Sequence, residues 1–140
     1  MPRSPEPLMG TEQDVIGARV GAFVVDYVLS FLVAMGGGFL LAILFRSEVA
    51  TILGVVLTYC AYFVLLEGLY GQTIGKRLLG VVVVKRDGSP CTMGASVVRN
   101  LLRIVDGILN YVVGLVVMLI TDERQRIGDL AADTVVVRTR

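Results

Sequence analysis

Asp26 stands at the start of an uncharged apolar run, residues 27–45. A carboxylate inside a membrane span costs about 2.5–3.5 kcal/mol on insertion scales, so something must offset it. Two uses fit: an acid that exchanges a proton or cation, or a neutral or paired group that fixes helix packing. Arg19 lies seven positions earlier. That is about two turns, or roughly 10 Å, along one helix face, which turns both residues inward but leaves them too far apart for direct contact. Glu67 closes a second apolar run and reads as a hydrated boundary carboxylate, with Lys76 or Arg19 as available partners. Arg103 and Asp106 are spaced for a local helical pair, with Asp106 ending that helix. Residues 71–76 suggest a phosphate loop and fail the pattern. Three residues separate Gly71 from Gly75 where four are needed, and Arg77 follows the lysine in place of Ser or Thr. Lys76 and Arg77 suit anionic lipid headgroups instead, at about 1 kcal/mol per basic residue near such a surface. His is absent, which removes the usual proton shuttle, the histidine-dependent nucleophiles and the commonest transition-metal ligand. With no activated nucleophile or metal cluster in view, the expectation is a non-enzyme without metal or cofactor.

The elements that must hold these groups are those of a membrane protein. Hydrophobic residues make up 55% of the 140-residue chain and charged residues 18%, with a mean hydropathy of +0.77, which does not fit a soluble surface. Residues 1–13, with Pro2, Pro5 and Pro7, read as a flexible tail ahead of a single domain over 14–140. Residues 20–45 and 49–67 are each long enough to cross a hydrocarbon core of about 30 Å. Gly17 and Gly21 give a close-packing spacing at the start of the first span, and Gly36, Gly37 and Gly38 loosen its far half. Residues 95–105 form an amphipathic helix, with Val97, Val98, Leu101, Leu102 and Val105 opposite Ser96, Arg99, Asn100 and Arg103. That pattern suits the membrane interface. Residues 107–120 are apolar but short, either re-entrant or a third membrane helix. Valine runs at 81–84 and 135–137 predict a two-stranded β element at the cytoplasmic face, the second strand lying within the C-terminal tail over 121–140. The fold class is thus mainly α, a helical membrane protein. Cys60 and Cys91 sit in unlike surroundings, and no disulfide is expected between them.

Charge placement orients the chain. If both spans cross, Arg3, Arg19, Lys76, Arg77, Lys85, Arg86, Arg99 and Arg103 share one side, against Arg46 on the other. The positive-inside bias places that side, and the N-terminus, in the cytoplasm. A re-entrant hairpin would keep Arg124, Arg126, Arg138 and Arg140 there too. The net charge of +1 offers no global field for nucleic acid.

Three ordered motifs resemble the RDD family of small membrane proteins. Gly17-Ala18-Arg19-Val20-Gly21-Ala22-Phe23-Val24-Val25-Asp26 is similar to its first-helix signature. Gly71-Gln72-Thr73-Ile74-Gly75-Lys76-Arg77-Leu78-Leu79-Gly80 is similar to its central motif, and Arg126-Ile127-Gly128-Asp129-Leu130-Ala131-Ala132-Asp133-Thr134 to its closing one. The resemblance makes Arg19, Asp26 and Asp129 the signature residues and implies a multi-pass protein of the prokaryotic cell membrane, with transport of unidentified ligands as the suggested activity. The chain departs from the family pattern at Gly128, where many members have His, and at Asp133, where a small residue is usual.

Two functions compete. In the first, ions or small solutes move past Asp26, with Arg19 modulating it and Asp129 completing a cytoplasmic gate; Glu67, Lys76, Arg103 and Asp106 are secondary candidates. Two or three helices enclose little, so a homo-oligomer or a membrane-protein partner would complete the path. In the second, the chain is a non-catalytic adaptor or assembly factor whose basic face meets lipid headgroups or proteins, and an Arg19–Asp129 pair staples the C-terminal tail beneath the bundle.

Overall fold

A computed structural model describes residues 5–108 and 112–140. Helix α1 (Ile16–Phe45) and helix α2 (Glu48–Tyr70) are both long and apolar enough to cross a membrane. The buried residues of α1 are Arg19, Ala22, Asp26, Ser30, Ala34 and Gly38, spaced three or four apart on one face. Its other faces expose large apolar side chains such as Phe31, Leu32 and Phe39. Such a helix is stable only if apolar solvent covers those faces. The chain reverses at Arg46, which is left-handed (φ 48°), and Ser47 caps α2 by accepting a hydrogen bond from the Ala50 N–H at 3.4 Å.

Of the three glycines in the far half of α1, Gly37 and Gly38 bring it against α2, while a Cβ built on Gly36 has nothing within 4 Å. A Cβ on Gly54 would lie 2.8 Å from the Gly37 carbonyl oxygen and 3.1 Å from the Gly38 Cα. Two helix backbones therefore touch there, as small residues permit in lipid. The expected site of close packing at Gly17 is open, with nothing within 4 Å of a built Cβ.

After Gly71, left-handed at φ 68°, Thr73 caps a short helix α3 (Ile74–Leu78). A second left-handed glycine, Gly80 (φ 69°), leads into strand β2 (Val81–Lys85). Among the described residues the sheet has three strands, not two. Strand β1 (Pro7–Leu8) lies on the far side of β3 (Thr134–Thr139), giving the order β1-β3-β2 with both pairings antiparallel. Val82 faces Val137 and Val83 faces Val136, and the valines of both strands are buried. The outer edge of β3 would otherwise present unpaired backbone groups. Part of the expected flexible tail meets that need: residues 7–8 pair with it, Thr11 Oγ1 accepts from the Arg138 N–H at 2.9 Å, and Glu12–Asp14 form a 3-10 turn. Residues 1–4 of that tail lie outside the described residues.

Helix α4 (Met93–Ile108) is amphipathic but turned opposite to a helix lying on a membrane surface. Its polar stripe is buried in protein, with Ser96 and Arg99 at 0% and 1% exposure, while Leu101 and Ile104 on the apolar stripe are 59% and 51% exposed. The helix runs past Asp106, so Asp106 does not end it; its side chain lies outside the described residues. Helix α5 (Val112–Ile120) has nine residues, about 14 Å of helix, shorter than a hydrocarbon core. The last helix, α6 (Ile127–Ala132), ends at left-handed Asp133 (φ 55°), which turns the chain into β3.

Candidate functional site: a buried ion network beside a cavity

The inward stripe of α1 supplies two of the charges. Asp26 is 3% exposed and is held by α2 and α3. It accepts from the Tyr62 hydroxyl at 2.7 Å, from the Gly75 backbone N–H at 2.8 Å, and from the Thr73 hydroxyl. Thr73 also accepts from the Lys76 N–H through the same oxygen, so the α3 cap and the intramembrane acid share one atom. Gly75 is required here, because a Cβ would lie 2.8 Å from the Asp26 carboxyl carbon and would press on the Ala22 carbonyl.

Arg19 goes to Asp129 rather than to Asp26. One guanidinium nitrogen, Nη2, donates to Asp129 Oδ2 at 2.7 Å, and Nη1 donates to the Arg124 carbonyl at 2.6 Å. Asp129 sits in the first turn of α6, where the Arg126 N–H donates to Oδ2 at 3.1 Å. Its other oxygen accepts from Nε of Arg99 at 2.7 Å and lies 2.6 Å from Nη2 of the same guanidinium. The remaining Arg99 nitrogen, Nη1, reaches Glu67 Oε2 at 2.5 Å. Glu67 also binds the Lys76 ammonium, accepts from Asn100 at 3.3 Å and lies 3.6 Å from Arg103. Arg103 stacks over the Phe63 ring at 4.1 Å. Opposite charges thus alternate from α1 through α6 and α4 to α2 and α3.

Two sequence expectations change. Glu67 is not a hydrated boundary group, since its exposure is 0%. Lys76 is 7% exposed and turned into the protein, leaving exposed Arg77 as the basic residue of that pair able to meet headgroups. The physical reason is shared: a buried carboxylate requires buried cations. Arg99 joins both carboxylates and was not singled out from the sequence, nor were Tyr62 and Thr73. The available signal for Arg99 was its place on a polar stripe with Ser96, Asn100 and Arg103, because a polar stripe beside a membrane turns toward protein.

Electrostatics follow this geometry. Burial alone would raise the Asp129 carboxyl, but Arg99, then Arg19 and Arg126, outweigh it and hold Asp129 well below the usual carboxylate range. Burial pushes the Lys76 ammonium down; Glu67 opposes this, while Arg99, Arg103 and Arg126 push it down further. A depressed native carboxylate stabilises the fold fully above its unfolded pKa of about 3.9 and loses that contribution as the pH falls toward the native value. The thermal transition of detergent-purified protein should therefore fall between about pH 6 and about pH 3, with part of the fall traceable to Asp129. Asp129→Asn should start lower and titrate less steeply. An unchanged slope in that variant would remove Asp129 from the effect.

Beside the network lies a cavity of about 230 Å³. Arg19, Asp26, Lys76, Arg103 and Arg126 line it together with Val20 and Phe23 of α1 and Val112, Leu115 and Met118 of α5. Arg19 and Asp26, separated by their spacing on α1, thus share this space without pairing.

Two long apolar helices, a capping three-stranded sheet and a buried ion network define a small helical protein of membrane type. The chain belongs to the RDD family, whose sequence profile matches residues 15–133. Neither the curated proteins nor the solved structures give a significant match. The Gly128 departure has a local cause: a Cβ there would lie 2.8 Å from the Arg99 carbonyl oxygen, so α6 rests on the α4 backbone and leaves no room for a His side chain. Asp133 points outward, 3.7 Å from exposed Arg86.

Proposed function

We propose that this protein handles a small solute or ion at the membrane surface, using the cavity beside Arg19 and Asp26. The observation that carries the reading is the meeting of both first-helix signature residues in one space of about 230 Å³. That volume is below the roughly 300–1,000 Å³ of drug-sized sites and suits an ion with some of its water, or a small polar group. Asp26 is fixed there as an acceptor, and Arg19 and Lys76 supply positive charge nearby. The role is non-enzymatic: residues bind and position, with no bond made or broken. Two long helices enclose no path by themselves, so passage across the bilayer requires a second copy or a membrane partner.

The sheet supports one orientation. It joins residues 7–8, 81–85 and 134–139, so the N-terminal, central and C-terminal segments lie on one side. Together with the positive-inside bias this supports reading that side as cytoplasmic, in a multi-pass protein of a prokaryotic cell membrane. It also supports the expected re-entrant course over a third crossing for the apolar segment that ends in α5, of which residues 109–111 lie outside the described residues.

A second reading, an adaptor or assembly factor, is favoured by how fully Asp26, Glu67 and Asp129 are engaged by partners within the fold. Flux of protons and monovalent ions in sealed proteoliposomes separates the two. The native chain should carry a gradient-driven flux that Asp26→Asn reduces at least tenfold while folding normally. Flux from neither protein would discard the solute reading and leave the adaptor.

A further inference from the structure

We infer that helix α4 lies close to the plane of the bilayer, submerged in the leaflet on the sheet's side, with Val97, Val98, Leu101 and Ile104 against lipid acyl chains. This placement is independent of whether the protein carries a solute.

From Met93 to Arg103, about 15 Å of helix, the contacts of α4 with α2 fall within residues 63–68. Met93 lies against Gly68, where a built Cβ would fall 2.6 Å from its sulfur. The Ser96 hydroxyl donates to the Val64 carbonyl at 2.7 Å, Asn100 donates to Glu67 at 3.3 Å, and Arg103 stacks on Phe63 at 4.1 Å. A helix running alongside α2 would advance along it turn for turn and bring Arg103 near Thr58. Helix α4 therefore crosses α2 steeply, and α2 is long and apolar enough to span the membrane.

Neighbouring side chains fix the level of that crossing. Tyr62 of α2 bonds Asp26 of α1, and on either side of Asp26 the outer face of α1 exposes Val24 and Tyr27. At the same height α2 exposes Leu65 and Leu69, and α3 exposes Ile74 and Leu78. Three elements thus present an apolar exterior where α4 crosses, which is the surface that hydrocarbon covers.

A helix resting on a membrane surface turns its polar stripe to water and its apolar stripe to lipid. In α4 the polar stripe, Ser96, Arg99, Asn100 and Arg103, is buried in protein, and the exposed stripe of Val97, Val98, Leu101 and Ile104 carries no charge. Neither stripe suits water or headgroups. Helix α5 exposes Leu115, Val116 and Leu119 likewise, so the apolar surface continues beyond α4. Submerged there, α4 sets hydrocarbon rather than water behind Glu67 and Arg99, and the leaflet on the sheet's side accommodates it in addition to the two long helices.

Depth-dependent fluorescence quenching tests this. The chain contains no Trp, so one introduced Trp reports its own depth. Leu101→Trp and, separately, Ile104→Trp use exposed positions with room for the larger ring. The full chain is reconstituted in phosphatidylcholine vesicles brominated either in the upper part of the acyl chain or near its end, with iodide on both sides of the membrane as the aqueous quencher. Leu57→Trp on the exposed face of α2 and Ser89→Trp in the exposed turn after β2 serve as deep and aqueous references. Both α4 reporters should be quenched at least twofold more by the upper bromines than by the deep ones, with Leu57→Trp showing the reverse. Iodide should quench them at least fivefold less than it quenches Ser89→Trp. Iodide quenching equal to that of Ser89→Trp would place the stripe in water and overturn the inference. A depth profile equal to that of Leu57→Trp would make α4 part of a third crossing and also overturn it. Shielding from both iodide and bromine would mean that a second copy covers the stripe, with the same consequence. The two positions are read independently, and each variant should elute as the native chain does.

Discussion

Replacing Arg99 by Leu should lower the stability of the purified protein by about 3–5 kcal/mol, the range for breaking a buried ion network by removing one partner. Arg99 is 1% exposed and is the link between the two halves of the network. Its nitrogens reach Asp129 at 2.7 and 2.6 Å and Glu67 at 2.5 Å. Asp129 would be left with Arg19, and Glu67 with Lys76 and Arg103, so neither carboxylate would be wholly unpaired. The two groups would nevertheless lose their common counter-charge in a site closed to water. For a chain of this size the thermal transition should drop by roughly 10 °C or more. Arg99→Lys should recover only part of the loss, because a single ammonium cannot reproduce a planar fork that serves two carboxylates. A transition within about 2 °C of the native value for Arg99→Leu would mean that α4 and α6 are held by apolar packing alone.

The second large effect is expected at Asp26, where the choice of substitution separates shape from hydrogen bonding. Asp26→Leu keeps the branching at Cγ, in a somewhat larger side chain, and removes every acceptor, leaving the Tyr62 hydroxyl, the Thr73 hydroxyl and the Gly75 N–H without their partner. Each buried orphan costs on the order of 1–3 kcal/mol, so the total should reach several kcal/mol even with incomplete additivity. Asp26→Asn retains one oxygen for Tyr62 and Gly75, while its amide donates to the Thr73 oxygen after that hydroxyl turns. Its loss should stay below about 1.5 kcal/mol. Thermal unfolding of both variants in the same detergent checks the contrast. Equal destabilisation would show that the negative charge, not the hydrogen-bond geometry, holds α3 against α1. The mildness expected of Asp26→Asn is also what makes it a fair probe of flux.

Position along the chain governs which of these partnerships were readable beforehand. The stripe from Arg19 through Asp26 has helical spacing, so its inward direction follows from the sequence. What waits for each charge 36 to 110 residues away does not, because many basic residues are available and spacing says nothing about contacts between elements. Arg19 and Asp129 are joined only because β3 returns beside β2 and draws α6 under the bundle. Glu67 was placed at the surface from its position at the end of a span, which is sound for an isolated helix and fails once α4 lays its polar stripe over that end. The third strand was hidden for a simpler reason. Two residues carry no periodicity, and Pro7–Leu8 became a strand only through the edge that β3 offers.

By itself, then, the sequence determined the membrane-type class, the two long helices, the paired valine strands and the family motifs, because each is written in local composition or short-range spacing. Tertiary structure decided the rest: which carboxylate meets which cation, that α4 faces its charges inward, and that glycines on α1 and α2 bring the two backbones into contact. Those outcomes depend on burial, and burial is a property of the assembled chain. A charge takes its partner according to what else has been excluded from water around it.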